Sequence, residues 1–223
     1  MNVKGTIILP HIYVLTFDTQ YELCMSFVRI QEFYESASPK FRGKYFDLED
    51  YMEYWATEFG HGSFDYPARW NGFNLSSKVI EKWEETFCGK FREWEAKILK
   101  EIADLRVFEY CESNDEAYPE KYYVIGVHKQ QSELKQNMVI EHEVAHALYY
   151  LSPDYKRKVN ALIKNLPKKI YNEAERKLVK MGYGKNVIKD EIQAYFSIEG
   201  LNSFKSREEF VANIRDFKDS LEK

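Results

Sequence analysis

Between Ser132 and Ser152 the chain reads SELKQNMVIEHEVAHALYYLS, a run with neither proline nor glycine. Nothing in it interrupts a helix, so a helix is expected over Glu133–Leu151. Helical geometry then limits what the run can do. Residues four apart lie on one face, roughly 6 Å apart along the axis. His142 and His146 are such a pair, and their imidazoles can hold one ion between them. Glu143 is rotated about 100° from His142, which puts its carboxylate beside such an ion, placed to take a proton from water. Histidine is scarce, with 5 in the whole chain, yet two fall in this stretch. The competing reading is structural: a buried helix whose two histidines are satisfied by their neighbours.

At 223 residues the chain can bury a sizeable core, as one large domain or two small ones. Its 17 Tyr, 15 Phe and 4 Trp exclude a disordered chain. A formal net charge of −4, without a lysine or arginine run, gives no footprint for nucleic acid. Lys156-Arg157-Lys158 and Lys168-Lys169 sit among acidic residues and read as solvated helix faces. Cys24, Cys88 and Cys111 are odd in number and lack CxxC spacing, which fits free thiols in a reducing compartment. The start, MNVKGTIILPHIYVLTF, reads as strand rather than signal peptide. No segment approaches the roughly 18 apolar residues of a membrane span. The expectation is a cytoplasmic protein without membrane or nucleic-acid partners; its oligomeric state leaves no mark on the sequence.

Periodicity gives an α+β order, mixed first and mainly helical later. A strand is expected over Ile12–Phe17, with helix-like spacing over Tyr21–Tyr34. Asp47 suits an N-cap for Leu48–Phe59, with Asp50 in the capping-box position, and His11 suits a strand edge. Residues 63–75 read as loop, followed by a helix from Ser76 or Ser77 to about Leu105, broken at Gly89. Arg106–Tyr110 reads as a short strand, and Asn114, Asp115 and Pro119 as a turn. Lys121–His128 reads as a strand in which Gly126 permits close backbone approach or marks a bulge. Helices are then expected over Glu133–Leu151, Pro153–Leu166 (N-capped by Ser152), Ile170–Met181 (ended by Gly182 and Gly184), Val187–Ile198 and about Ser206–Leu221. A boundary near residue 105 would separate an N-terminal region, 1–105, from 106–223, unless the whole forms a single domain.

The run Val139–Leu148 (VIEHEVAHAL) resembles, at every position, the extended HExxH pattern of the zinc metallopeptidases called zincins. An apolar frame suits a helix buried at the centre of a fold, where any further charge would need its own partner. Glu141, at the freely variable position, is expected to face solvent or an outer-shell donor. The resemblance implies a zincin-like α+β fold with a small mixed sheet. It also implies Zn²⁺ held by His142 and His146, with Glu143 as catalytic base. The third ligand separates the branches of the family. Residues 147–152 (ALYYLS) lack the metzincin continuation, and GTxDxxYG is absent. Gluzincins take a glutamate from a later helix, often as ExxA, and Glu191 in DEIQAYF fits. Asp190 is then an outer-shell candidate or the competing ligand. Tyr195, one turn after Glu191, is the catalytic candidate for stabilising the oxyanion, with Tyr149, Tyr150, Tyr171 and Tyr183 in the same region.

The family resemblance further implies a peptide or protein substrate paired along the free edge of strand 122–128, with residues 1–105 as one wall of a cleft. A related reading is similarity to zinc proteases of stress and toxin–antitoxin systems. Their later helix carries ExxAxxF, and here Ser197 stands where the phenylalanine is expected. The alternative from another class is a regulatory or structural zinc-binding protein without proteolytic activity.

Overall fold

Two β-branched runs open the chain, Val3–Leu9 (β1) and Ile12–Phe17 (β2), and pair antiparallel around Pro10-His11. His11 sits in the turn at φ +64, a left-handed conformation that non-glycine residues adopt only when held there. Glu109 supplies the hold: its carboxylate accepts from the His11 backbone N–H at 2.7 Å and the Tyr13 hydroxyl at 2.5 Å, and lies 3.1 Å from His11 Nδ1. His11 is therefore a turn residue rather than a strand-edge one. The computed structural model describes residues 1–113, 120–181, 183–185 and 187–197. The expected turn at Asn114–Pro119, the stop at Gly182 and the helix over 206–221 lie outside the described residues.

The architecture is α+β, with eight helices and a four-stranded mixed sheet among the described residues. Strand β3 is Phe73–Ser76 and β4 is Tyr123–His128; the order is β1-β2-β4-β3. β2 and β4 run parallel, from Ile12↔Tyr123 to Phe17↔His128, while β3 pairs antiparallel with β4. β4 is buried at all six positions, which explains its continuous apolar run. It is paired on both sides over residues 123–126, so the free edge expected of this strand is absent there; β1 and β3 are the outer strands.

The chain divides into two compact units, Met1–Val139 and Ile140–Lys223. In the first, helix α1 (Gln20–Glu35) starts at a capping box between Thr19 and Glu22 and packs on β2, β3 and β4. Gly126 matters for this packing: an added Cβ would come within 2.7 Å of Leu23 and 3.0 Å of Phe27. Its register is regular, so it permits close helix approach and marks no bulge. Helix α2 is Leu48–Glu58, α3 is Ser77–Phe87 and α4 is Glu93–Glu112. Asp47 holds the N-cap position of α2 but makes no cap bond; its carboxylate accepts from the Tyr45 hydroxyl at 2.6 Å instead.

Two local expectations are corrected. Phe73–Ser76 is strand rather than loop, because Phe73 stacks on Phe27 at 5.4 Å and the Tyr123 hydroxyl donates to Asn74 at 2.6 Å. Arg106–Tyr110 continues α4, so residue 105 lies inside one helix. Its aromatic, β-branched composition favours a strand locally, but the helical spacing lets Glu109 reach the hairpin and sets Arg106 over the Tyr122 ring at 4.3 Å.

Buried charge in this unit is closed upon itself. Arg29 on α1, 2 % exposed, forks onto Glu95 of α4, 0 % exposed, at 2.7 and 2.6 Å. Its other donors reach the carbonyls of Phe46 and Lys90. Removing one partner leaves an uncompensated buried charge. Glu95→Gln is therefore expected to destabilise the protein by about 3–5 kcal/mol in urea titrations, with part of the loss recovered in the double variant Arg29→Met/Glu95→Leu. A loss under about 1 kcal/mol, as for a surface pair, would contradict this account.

Candidate metal centre

Helix α5 (Glu133–Leu151) crosses the division and carries the histidine pair in its second half. Val144–Leu148 is buried while Glu141 is exposed, as the apolar frame requires. The chain leaves α5 through Ser152, whose hydroxyl accepts from Tyr155 N at 3.2 Å and starts α6 (Pro153–Asn165). Helix α7 (Lys168–Lys180) follows, then α8 (Ile188–Ser197); α6 and α7 both pack on α8. This helical pair returns the chain so that the first turn of α8 meets the last half of α5.

Three side chains converge there: His142, His146 and Glu191. The two Nε2 atoms are 3.2 Å apart. Glu191 places Oε2 3.8 Å from His142 Nε2 and Oε1 3.7 Å from His146 Nε2. Ligands about 2.05 Å from a tetrahedral zinc are separated by about 3.3 Å, and the observed spacings are near that value or a little wider. The donor set, two imidazoles and one carboxylate, also suits that ion and leaves a coordination position for water. The group fits.

Asp190 lies on the far side of the histidine. Its Oδ1 is 2.8 Å from His146 Nδ1, whereas Glu191 is the acidic neighbour of both Nε2 atoms. The two carboxylates thus face different nitrogens, Asp190 towards Nδ1 and Glu191 towards the Nε2 pair. His142 is held differently: its buried Nδ1 makes no hydrogen bond among the described residues, and its ring packs edge-on against Tyr195 with centroids 4.7 Å apart. The Tyr195 hydroxyl lies 3.1 Å from that of Tyr183. Glu143, the residue after His142 on α5, is half-buried, and its charge helps raise the pKa values of His146, Tyr183 and Tyr195. Tyr149 turns away and donates to Asn160.

Burial, then the neighbouring His146 charge, pulls the pKa of His142 down to about 3. Burial pulls His146 the same way, but the Asp190 hydrogen bond and the charges of Asp190, Glu143 and Glu191 outweigh it and raise the value to about 9. Of the residues that sequence reasoning singled out, the structure brings His142, His146 and Glu191 together and sets Tyr195 against the His142 ring. The same reasoning gave no weight to Gln193 or Tyr155, which complete the far side of the cluster. Gln193 stands one helical turn from Asp190 and could have been noticed; nothing in the sequence marks Tyr155. Comparison with family models, curated proteins and solved structures yields no match for this chain.

The raised pKa has a definite consequence. In metal-free protein His146 is protonated near neutral pH, a contribution to stability present in full below its ordinary 6.5 and lost as pH rises through about 9. An ion bound at Nε2 must expel that proton. Zinc binding near neutral pH is expected to release at least one proton, and affinity should climb about tenfold per pH unit towards pH ~9. Calorimetry in buffers of different protonation enthalpy reads the proton count, and binding without release would contradict the assignment.

Proposed function

We propose that this chain is a zinc-dependent metallopeptidase of the gluzincin type, with His142, His146 and Glu191 as ligands and Glu143 as general base. The observation that carries the reading is the meeting of these three donors, from helices remote in sequence, at zinc-compatible spacing. The zincin frame around HExxH adds support, as do the small mixed sheet and mainly helical second unit, which agree with a zincin-like plan. The three cysteines are free thiols, in keeping with a cytoplasmic setting, and no described helix is long and apolar enough to cross a membrane.

Zinc, when bound, supplies Lewis-acid polarisation of water and of the scissile carbonyl. Glu143 accepts the proton as water attacks a peptide carbonyl and delivers it to the leaving amine. Burial first, with the Glu191 and Glu143 charges adding to it, raises the Tyr195 pKa, so the phenol keeps its proton and can donate to the developing oxyanion. The Tyr183 hydroxyl lies 3.1 Å from that of Tyr195 and can share a hydrogen bond with it. The substrate is a peptide or protein whose carbonyl reaches the Glu143 side of the cluster.

Purified protein is expected to carry near one zinc per chain. Glu143→Gln should keep the zinc and lose at least about 100-fold in hydrolysis of a peptide library followed by mass spectrometry. Glu191→Ala should lose the zinc itself. Undiminished hydrolysis in Glu143→Gln would sink the mechanism. Full zinc with no cleavage by the unaltered protein, in peptides or cell extract, would favour a zinc-holding regulatory protein.

A further inference from the structure

Asp190 Oδ1 faces two nitrogens, His146 Nδ1 at 2.8 Å and Gln193 Nε2 at 2.9 Å. The other end of that amide, Gln193 Oε1, accepts from the Tyr155 hydroxyl at 2.8 Å. Gln193 is 0 % exposed and Tyr155 2 %, so protein groups rather than bulk water decide how the amide lies. An amide NH₂ only donates and an amide oxygen only accepts. Turned over, the amide would set its oxygen against the Asp190 oxygen, two acceptors in contact in a buried place. The Asp190 contact thus selects the orientation, and the Tyr155 hydroxyl, donating to Oε1, anchors the other end of the amide in it.

We propose that Gln193 and Tyr155 are positioning residues of the metal centre: together they fix Asp190 Oδ1 as an acceptor, which holds the proton of His146 on Nδ1 and leaves Nε2 to face the ion. This inference rests on the metal-centre reading. A polar chain thus runs from α6 through α8 to α5, every link with its donor and acceptor assigned. It touches neither the ion nor the substrate; it acts through one imidazole. The orientation of that imidazole is what an outer-shell partner controls, and loss of such a partner typically costs 10- to 100-fold in metal affinity. Gln193 acts one bond further out than Asp190, and Tyr155 one further still, so the effects should decline in that order.

The test compares the unaltered protein with Gln193→Glu, Gln193→Leu and Tyr155→Phe. Zinc affinity is read by competition with a chromophoric chelator, and the His146 ring by ¹⁵N–¹H NMR of the zinc-loaded protein. Gln193→Glu keeps the shape and the Tyr155 contact but replaces the N–H donor with an acceptor. The expectation is a roughly 10-fold weaker zinc site in both Gln193 variants and a roughly 3-fold weaker one in Tyr155→Phe. The Nδ1 proton, slow to exchange in the unaltered protein, should exchange faster in each. Unchanged affinity and exchange in Tyr155→Phe and Gln193→Glu would overturn the proposal while the metal centre stands. A lowered melting temperature without either change would do the same, since the pair would then only tie α6 to α8. Failure of the unaltered protein to bind zinc would overturn the centre and this inference with it.

Discussion

Three groups bearing lone pairs, His142 Nε2, His146 Nε2 and the Glu191 carboxylate, face one point where exposure to water is slight. Electron-rich atoms held this close repel one another, and the low local dielectric strengthens the repulsion. Only a positive charge between them makes the arrangement favourable. A proton on His146, facing the His142 nitrogen at 3.2 Å, is the smallest such charge, and a divalent ion is a larger one. Helices α5 to α8 supply the framework that keeps the three groups from relaxing apart. Once His146 carries that proton, burial and the adjacent positive charge hold His142 neutral.

The first unit handles buried charge in the opposite way. Arg29 and Glu95 satisfy each other in a bidentate pair, and the spare guanidinium donors end on carbonyl oxygens. Glu109 likewise closes the β1–β2 turn by accepting from both a backbone N–H and a tyrosine hydroxyl. These polar groups are arranged donor to acceptor, and nothing further is invited in. Burial of ionisable residues alone does not distinguish a structural knot from a site. What distinguishes them is whether the lone pairs point at donors or at each other.

The legible part of the sequence was the part governed by local geometry. Four-residue spacing on an uninterrupted helix gave His142 and His146, and a serine–proline start gave the beginning of α6. Glu191 was favoured over Asp190 through its resemblance to the ExxA helix of gluzincins, and the fold sets Glu191 near both Nε2 atoms and Asp190 at Nδ1. Local reading failed where a distant partner decided. Phe73–Ser76 has strand geometry because β4 and Phe27 receive it, and Arg106–Tyr110 is helical because Glu109 and Arg106 find partners one strand away. Asp47 looked like a cap and became an acceptor for Tyr45. Tyr155 was illegible for the same reason, since its role depends on where α8 returns.

That dependence gives the long route from His146 to Glu191 a physical meaning. Closing a longer loop costs entropy that grows only slowly with length, so placing α6 and α7 between His146 and Glu191 adds only modestly to that cost. With α6 in place, Tyr155 reaches Gln193, and Gln193 reaches the carboxylate that orients His146. Helix α6 therefore adds Tyr155 to the polar chain that ends on His146, in addition to returning the chain.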